Sequence, residues 1–511
     1  MACADSSGSR LATGASAEQR IRAILGRMGV GSPLLVMEAE MHLLSDAEMQ
    51  QFITQGYIQV KADFPGDFHA EVCRQIDAVL EAEGNPGNNI APRIPAIAQV
   101  FAHPAVRGAL TSILGAGYLM HPHRYCHLNS PGSDGQTWHK DDYIFDQNIR
   151  YHRCRWIMAF YYPQDVTPDM GPTGVMPGRQ WYNGISSTDP EQATENELGL
   201  CGPAGTVSIV NFDSWHRATA NRSDKRRYML KYQFTRMAEP AAPTWNNKVS
   251  HWQPLDGDPH PELSRHVWDW LCGQLCDRPA ASSGITRWED LGADSEMDRL
   301  QATYSLGRDQ VKGLIEDMRS QAQDQVETNL AHSPTNPQGG NPGEVGPVHA
   351  LAALGADALD GLLDAAQQGP WSGRAAAMGA LATMGKAAAA AVPVLQAALS
   401  DDVMWVRRNA AEALGTIGPA AVSAAPALAR AIGDEVELVR RNAVFSLSKM
   451  APPDDELVPP VARALADPNR YTRYCASTAL RKIGSEQARG ALIEALEPTR
   501  WCAITSSSTN Y

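Results

Sequence analysis

The sequence has few cysteines, no long apolar run and fewer basic than acidic residues. Its nine cysteines are scattered through 511 residues without a regular framework, which predicts reduced thiols and an intracellular protein. No apolar run approaches the roughly 20 residues that span a bilayer, so no membrane association is expected. With 44 basic and 57 acidic residues, the net charge of -13 argues against nucleic-acid binding, because little offsets repulsion by phosphates.

The N-terminal residues also lack the continuous apolar segment of a secretory signal. A cytoplasmic location is therefore expected, with an arginine-containing organellar transit peptide left open as an alternative. The length predicts two or three domains. The predicted divisions are a tail (1–44), a domain with a helical extension (45–318), a linker (319–347), helical repeats (348–500) and a second tail (501–511).

The proposed linker is polar and rich in Pro, Gly, Asn and Gln. Before it, short β-branched and aromatic segments predict a strand-rich core. These segments are GYIQVK (56–61), WIMAFYY (156–162), GTVSIVNF (205–212) and RYMLKYQF (227–234). Residues 67–84 and most of 260–318 are predicted to be helical.

After the linker, residues recur at an interval of 33. The series are Arg374, Arg407, Arg440 and Arg473, and Leu381, Leu414, Leu447 and Leu480. An aspartate stands six residues before each of the last three arginines. The units resemble HEAT repeats, each a helix pair that stacks on its neighbours into an all-α solenoid. The Asp and Arg series is expected to be a structural ladder, although Arg408 and Arg441 could instead form a basic stripe for an acidic partner.

A cluster of metal-ligand residue types occurs in the strand-rich half. The segment GQTWHKDDYIF places His139 and Asp141 two residues apart, and His216 follows the predicted strand GTVSIVNF. On a strand, residues two apart share one face. Two histidines and one carboxylate can hold one face of an octahedral Fe(II), leaving positions for a chelating cosubstrate and dioxygen. The spacing alone is a weak signal, because His-x-Glu also occurs at His69 and His260.

Other residues could serve as ligands or contact a ligand. Asp142 could replace Asp141 as a ligand, but it would point to the opposite face of a regular strand. The segment HPHRYCH (121–127) contains a His-x-His step, although structural histidines on strands are commoner than metal ligands. Lys61 and Gln136 are further candidates for contact with a cosubstrate or substrate.

The features around the triad have a characteristic order. MGPTGVMPGRQW lies between the two metal motifs, and Asn221 and Arg227 follow His216 by five and eleven positions. In these features, residues 45–240 resemble the phytanoyl-CoA dioxygenase family of 2-oxoglutarate-dependent oxygenases. The resemblance implies a double-stranded β-helix, or jelly roll, with flanking helices and the metal inside its mouth.

The same resemblance implies the roles of individual residues. His139, Asp141 and His216 would bind Fe(II), and Arg227 would pair with the distal carboxylate of the cosubstrate 2-oxoglutarate, with O2 as the oxidant. Arg226 could replace Arg227 if the register differs by one residue. Trp156 would lie near the cosubstrate. An aspartate at position 141 favours hydroxylation over halogenation, because no ligand position is vacated for halide.

One motif departs from the family, which commonly has Pro-Gly-Ser-His where this chain has Pro177, Gly178, Arg179 and Gln180. The change leaves the substrate open. The expected activity is hydroxylation of a C–H bond in a small molecule, with the repeats docking a protein partner, the substrate or the chain's own jelly roll. The alternatives are a repeat-based interaction scaffold with a relic jelly roll, and a metal-dependent enzyme that does not use 2-oxoglutarate.

Overall fold

The computed structural model describes residues 41–141, 152–182, 196–274, 287–332, 340–343, 345–450 and 452–497. Its N-terminal half contains two antiparallel sheets. Five strands form the larger sheet in the order β1-β6-β3-β8-β2, and three form the smaller sheet in the order β5-β4-β7. The strands are β1 (Tyr57–Lys61), β2 (Leu119–Asn129), β3 (Trp156–Tyr161), β4 (Thr173–Val175), β5 (Leu198–Leu200), β6 (Thr206–Asn211), β7 (His216–Ala218) and β8 (Arg227–Thr235).

The two sheets enclose an apolar core, as the predicted double-stranded β-helix requires. Met158 and Phe160 on β3 pack in one buried cluster with Val175 and Leu200 of the smaller sheet. Alternate residues on the other face of the larger sheet, such as Ile157, contact the helices that cover it. These helices are α1 (Asp46–Gln55), α2 (Phe68–Glu83), α3 (Ile90–Arg93), α4 (Ala96–Ala102), α5 (Pro104–Leu114) and α6 (Pro261–Leu271).

The four segments predicted to be strands are confirmed as β1, β3, β6 and β8. Strand β2 was not expected, because Pro122 and four histidines or arginines give it a poor strand composition. Its pairing with β8 shifts between Met120 and Arg124, so that two extra residues of β2 bulge out around Pro122. The bulge accommodates a residue that has no backbone N–H to donate.

The C-terminal half is helical, and its helix pairs stack into the predicted repeat array. Its helices are α7 (Glu296–Ser305), α8 (Val311–His332), α9 (Gly346–Leu354), α10 (Ala356–Gln367), α11 (Trp371–Met384), α12 (Val392–Ala398), α13 (Met404–Ile417), α14 (Ala425–Ala431), α15 (Glu437–Met450), α16 (Val458–Arg463), α17 (Arg470–Ile483) and α18 (Glu486–Leu496). Successive long helices α11, α13, α15 and α17 pack side by side. Leu381, Leu414, Leu447 and Leu480 are all buried in their shared core.

The arginine and aspartate series forms the expected structural ladder. The first three arginine side chains of the series each pair with the aspartate of the following repeat. The N–O distances are 2.8 Å for Arg374–Asp401, 2.8 Å for Arg407–Asp434 and 2.7 Å for Arg440–Asp467. Each repeat is therefore tied to its neighbour by a largely buried, charge-assisted contact in addition to apolar packing.

Replacing Asp434 with Ala is expected to lower the free energy of unfolding by about 3 kcal/mol, because it leaves the nearly buried Arg407 guanidinium without its carboxylate. The same change removes the acceptor for the Val436 backbone N–H, which lies 2.9 Å from Asp434 Oδ1. Urea denaturation of the full chain measures the effect. Glu71→Ala is the matched control, because Glu71 pairs with Arg74 on the exposed surface of α2 and should contribute little. Equal effects of the two substitutions would contradict the ladder's role.

The prediction of an irregular linker over 319–347 is wrong for residues 319–332, which continue α8. Met318, Ala322 and Val326 recur every four residues and are buried. They give α8 a narrow apolar stripe that packs against α9, α10 and α11. The polar residues that dominate this segment lie on the opposite face of the helix. The predicted tail 1–44 also ends earlier, because Leu43 and Leu44 are already buried against the first domain.

The repeats contact the sheet domain directly. Tyr474 on α17 donates a 2.7 Å hydrogen bond to the backbone carbonyl of Met120, and Tyr471 lies 2.7 Å from His123 Nδ1. Near α11, Arg155 donates to the carbonyl of Thr383 at 3.0 Å and Lys386 donates to that of Pro240 at 3.1 Å. The inner side of the repeat array therefore packs against β2 and the start of β3.

One stretch, Trp371–Ala398, is long and apolar enough on composition to cross a membrane, although the sequence analysis identified no such run. Of its most apolar window, 67% is buried inside the protein. The backbone also leaves helical geometry at Ala388. These features are typical of core helices in an alanine-rich repeat, and α11 and α12 are accordingly assigned to the solenoid.

Candidate metal centre

The two histidines of the predicted triad face each other across an isolated antiparallel bridge. His139 donates its backbone N–H to the carbonyl of His216 at 3.1 Å, and His216 returns the bond at 3.0 Å. The centroids of the two rings are 4.4 Å apart. His139 is therefore held by this single bridge rather than by the regular strand that the sequence analysis assumed, while His216 begins β7.

Each imidazole is also fixed in one tautomer. His139 Nδ1 lies 3.0 Å from the carbonyl of Thr137, and His216 Nδ1 lies 3.1 Å from that of Ser214. A carbonyl only accepts, so each Nδ1 must carry the proton and donate it. The lone pair of each imidazole is then on Nε2. A hydrogen bond from the second ring nitrogen to a carbonyl is the usual way in which proteins orient histidine ligands of metals.

Asp141 completes the group. One ligand atom from each of His139, Asp141 and His216 lies within 4.8 Å of the others, and no second such group of histidine, cysteine or acidic residues occurs in the described part of the chain. Burial alone would raise the pKa of Asp141, but the nearby Lys231 ammonium and His216 lower it below its usual value. Burial, followed by the charge of Lys231, lowers the pKa of His216 to about 3. A carboxylate and two imidazoles are a ligand set that suits Fe(II).

Arg227, the first residue of β8, lines the same cavity. Its side chain is buried, and its Nε and Nη2 donate to the carbonyl of Gly171 at 2.9 and 2.6 Å. This contact fixes the plane of the guanidinium. The neighbouring Arg226 points outward and pairs with Asp77 on the surface, with a side chain that is 52% exposed. Of the two adjacent arginines considered for the cosubstrate, only Arg227 therefore faces the metal cavity.

Lys231 was not among the residues expected at the site, yet it lies on the same face of β8 as Arg227. Its ammonium ion-pairs with Asp141 and is 3.4 Å from His216 Nε2. Strand periodicity could have indicated it, since Arg227, Met229 and Lys231 alternate with apolar residues that face the opposite side. Lys231 thus contacts two of the three prospective ligands. It competes for Asp141 with any cation bound there.

Replacing Lys231 with Met is accordingly expected to tighten Fe(II) binding at least about tenfold. The change leaves the Asp141 carboxylate buried without its partner in the metal-free protein, which typically costs about 3–5 kcal/mol. Bound Fe(II) would restore a positive partner to Asp141 and so regain part of that free energy. A gain of about 1.4 kcal/mol corresponds to tenfold tighter binding. Anaerobic competition with a chromogenic chelator measures the dissociation constant. Weaker Fe(II) binding in the variant would contradict competition and indicate that Lys231 supports the site.

The cavity has a volume of about 350 Å³, and its lining residues include Arg217, Arg227 and Lys231 but only one acidic residue, Asp141. Besides the triad, Arg227 and Lys231, its walls include His123, Tyr125, His127, Asn129, Ser133, Gln136, Thr173 and Arg217. Gln136, one of the two further candidates for a ligand contact, lines this cavity. Lys61 does not, because it is on the surface near Asp63. His123 and His127 border the cavity without joining the triad, and Asp142 lies outside the described residues.

The structure does not place Trp156 with the triad. It lies at the start of β3, with its ring centroid 5.9 Å from that of Phe445 on α15. It borders a different cavity, between the sheet domain and the repeats. The inference of a cosubstrate contact failed because it used position along the chain alone. Trp156 does share the inward face of β3 with Phe160, whose ring lies near His216, but it stands four residues away along the strand.

The altered turn at Pro177–Gln180 also lies outside the walls of the metal cavity. Gln180 is buried and donates to the carbonyl of Ile53 at the end of α1, at 2.9 Å. Lys140 Nζ donates to the carbonyl of Gln180 at 3.1 Å. The turn therefore ties the metal-ligand segment to α1.

A jelly roll with two histidines and one carboxylate clustered inside it defines the class of non-haem iron oxygenases. Comparison with protein families agrees. Residues 54–229 match the family model of phytanoyl-CoA dioxygenase (PhyH), and residues 359–448 and 425–504 match that of HEAT repeats. The chain thus contains a PhyH domain at residues 54–229 and HEAT repeats at residues 359–504. No curated protein matches the chain.

Solved structures similar to the N-terminal half include three 2-oxoglutarate-dependent or 2-oxoglutarate-bound proteins. The non-haem α-ketoglutarate-dependent carbocyclase SnoK of nogalamycin biosynthesis is 17% identical, with 43% of this chain and 91% of SnoK covered and a TM-score of 0.32. EctD from S. alaskensis, solved with 2-oxoglutarate and 5-hydroxyectoine, is 16% identical, with coverages of 46% and 87% and a TM-score of 0.34. HygX from Streptomyces hygroscopicus, solved with nickel and 2-oxoglutarate, is 13% identical, with coverages of 42% and 94% and a TM-score of 0.32.

Proposed function

We propose that this chain is an Fe(II)- and 2-oxoglutarate-dependent dioxygenase that hydroxylates a C–H bond of a small molecule. The observation that carries the proposal is the convergence of His139, Asp141, His216 and Arg227 on one cavity. Three of these residues would hold the metal, and the fourth offers a buried cation for a carboxylate. The PhyH match over residues 54–229 supports the same class.

Arg227 is suited to the distal carboxylate of 2-oxoglutarate. A guanidinium presents a planar set of donors that matches a carboxylate, and burial strengthens such a contact. Two of its donors are engaged by Gly171, which fixes the group while leaving Nη1 without a described acceptor. Lys231 adds a second positive charge to the cavity, next to Asp141 and His216. When a metal takes Asp141, the Lys231 ammonium becomes available to an anionic ligand.

Bound Fe(II), with 2-oxoglutarate and O2, would supply the oxidising chemistry: one oxygen atom enters the substrate C–H bond, and the other enters succinate, which forms with release of CO2. The protein's own residues bind and orient the reactants. Ser214 and Thr137 fix the imidazoles through their carbonyls, and the apolar core around Phe160 limits access of water from behind His216. With Asp141 as the third ligand, hydroxylation is proposed in preference to halogenation.

The repeats are proposed to support the oxygenase by packing on it, and to dock a protein partner with surfaces that this packing leaves exposed. Their side next to the sheet domain contacts β2 through Tyr471 and Tyr474. Because His123 borders the metal cavity, the Tyr471 contact links one repeat to a wall of the catalytic site. A scaffold with a relic jelly roll is less well supported, because all three ligands and Arg227 are intact.

The test is substrate-independent turnover of 2-oxoglutarate by the full chain with Fe(II), ascorbate and O2. Slow formation of succinate in the wild type, and its absence in His139→Ala, is expected. Binding of 2-oxoglutarate to the Fe(II)-loaded protein is measured in parallel. Metal binding without either response would contradict the proposal and favour a 2-oxoglutarate-independent metal enzyme.

A further inference from the structure

The second arginine of each Arg-Arg pair in the repeats has a position distinct from the ladder. Arg407 and Arg440 form ladder pairs, whereas Arg408 and Arg441 are buried on the side that faces the sheet domain. They are not an exposed basic stripe. Arg408 pairs with Glu412 on its own helix, and Arg441 Nε lies 3.3 Å from Glu437. The sequence repeat therefore delivers one buried guanidinium from each of two neighbouring helices, α13 and α15.

These guanidiniums meet the sheet domain in a small cavity, the interdomain cavity. Its repeat side includes Arg408, Arg441 and Lys449, and its sheet side includes His121, Arg155 and Trp156. The cavity volume is about 40 Å³. A space of that size holds roughly three water molecules, or one compact anionic group.

The charges around the interdomain cavity do not balance among the described residues. Four cationic side chains line it, namely Arg155, Arg408, Arg441 and Lys449, but Glu412 is its one lining carboxylate. Two further carboxylates stand behind the lining: Glu239 pairs with Arg155 at 2.7 Å, and Glu437 pairs with Arg441. Glu239 is shared with Arg153, which lies 4.0 Å away. The group thus holds more cations than carboxylates, and excess buried charge is costly unless an anion offsets it.

Among these cations, the charge of Lys449 on α15 is the least offset by nearby carboxylates. Its Nζ lies 4.5 Å from the centroid of the Phe445 ring, and no carboxylate of the described residues is within ion-pair distance of it. Burial and the charge of Arg155 lower the pKa of Lys449 to about 8, although Glu412 and Glu239 oppose the shift. An ammonium kept beside three guanidiniums is typical of a site whose counter-charge is supplied by a ligand.

We propose that the interdomain cavity is an anion-binding site, in which Lys449, Arg408 and Arg441 of the repeats and Arg155 of the sheet domain hold one phosphate or carboxylate group. The bound group joins the repeats to the oxygenase domain. This site is separate from the metal cavity, and the inference does not rest on the proposed function. One wall of the interdomain cavity is His121, a residue of β2. The ring centroid of Tyr471 lies 4.7 Å from that of His121, and the Tyr471 hydroxyl lies 2.7 Å from His123 Nδ1 on the same strand.

The experiment is thermal unfolding of the metal-free full chain in phosphate, sulfate or succinate, each compared with chloride at equal ionic strength. All proteins carry Arg227→Met, so that anion binding at the catalytic arginine does not contribute. A saturable rise in Tm of about 3 °C or more is expected at concentrations well above the dissociation constant. A response to phosphate and sulfate but not succinate identifies phosphate-like chemistry, and the reverse identifies a carboxylate.

Lys449→Met is expected to abolish the rise and, in chloride, to unfold at the same or a higher temperature than its parent, because it removes a buried charge without a partner. Lys449→Arg is expected to retain the rise. Arg489→Met makes the same charge change on the exposed surface of α18 and is the matched control. The proposal is overturned if no anion raises the Tm of the parent, or if Lys449→Met retains the full response.

Discussion

Replacing Arg227 with Met is expected to weaken binding of 2-oxoglutarate by about 30-fold to several thousand-fold. The substitution removes the buried cation that would pair with the distal carboxylate, and losing one partner of such a pair typically costs about 2–5 kcal/mol. Anaerobic titration of the Fe(II)-loaded protein measures the dissociation constant. Iron binding itself should be unchanged, because Arg227 is not one of the three clustered ligand residues.

Arg226→Met is the matched control, because it changes the adjacent residue in the same way. Arg226 is half exposed and pairs with Asp77, so its loss should leave 2-oxoglutarate binding within about twofold. This comparison decides the register question that the sequence left open. Equal weakening by both substitutions, or weakening by Arg226→Met alone, would contradict the assignment of Arg227.

Replacing His216 with Ala is expected to weaken Fe(II) binding by more than about 100-fold and to eliminate turnover. Loss of a residue that only orients a ligand typically costs about 10–100-fold in metal affinity, and loss of the ligand itself should cost more. Iron retained after anaerobic gel filtration measures the first effect, and succinate formation measures the second.

His127→Gln is the control for His216→Ala. His127 borders the same cavity and is similarly shielded, since burial and then Lys231 and Arg227 lower its pKa to about 3. It lies outside the triad, so its variant should keep iron. If His127→Gln loses iron as fully as His216→Ala, the metal is held by a different set of histidines.

The main strands of the larger sheet could be predicted because their residue types and alternation follow local rules for β-structure. Ile157, Ala159 and Tyr161 alternate with Met158 and Phe160 between two buried faces, and β-branched and aromatic residues favour strands. The clustering of His139 and Asp141 with His216 required a longer-range step. The backbone bridge between His139 and His216 is not encoded by periodicity. Residue types and spacing therefore gave only a weak signal for the triad, which the resemblance to an oxygenase family strengthened.

The errors have equally specific causes. Residues 319–332 were expected to be irregular because their average composition is polar, but a helix needs only a narrow stripe, here Met318, Ala322 and Val326. Trp156 was assigned by its position in the chain, and only the packing of the repeats shows that it faces Phe445. Similarly, the 33-residue interval predicted the ladder but carried no information about which surface the repeats cover.

An anaerobic optical titration of the full chain with Fe(II) and then 2-oxoglutarate tests directly whether the triad and Arg227 form an oxygenase site. A visible charge-transfer band is expected that requires both additions, saturates at one equivalent of iron and is absent in His139→Ala. Iron binding at the triad without such a band would contradict the use of 2-oxoglutarate. Failure of the wild-type chain to bind iron would contradict the oxygenase assignment itself and leave the repeats as the place to look for function.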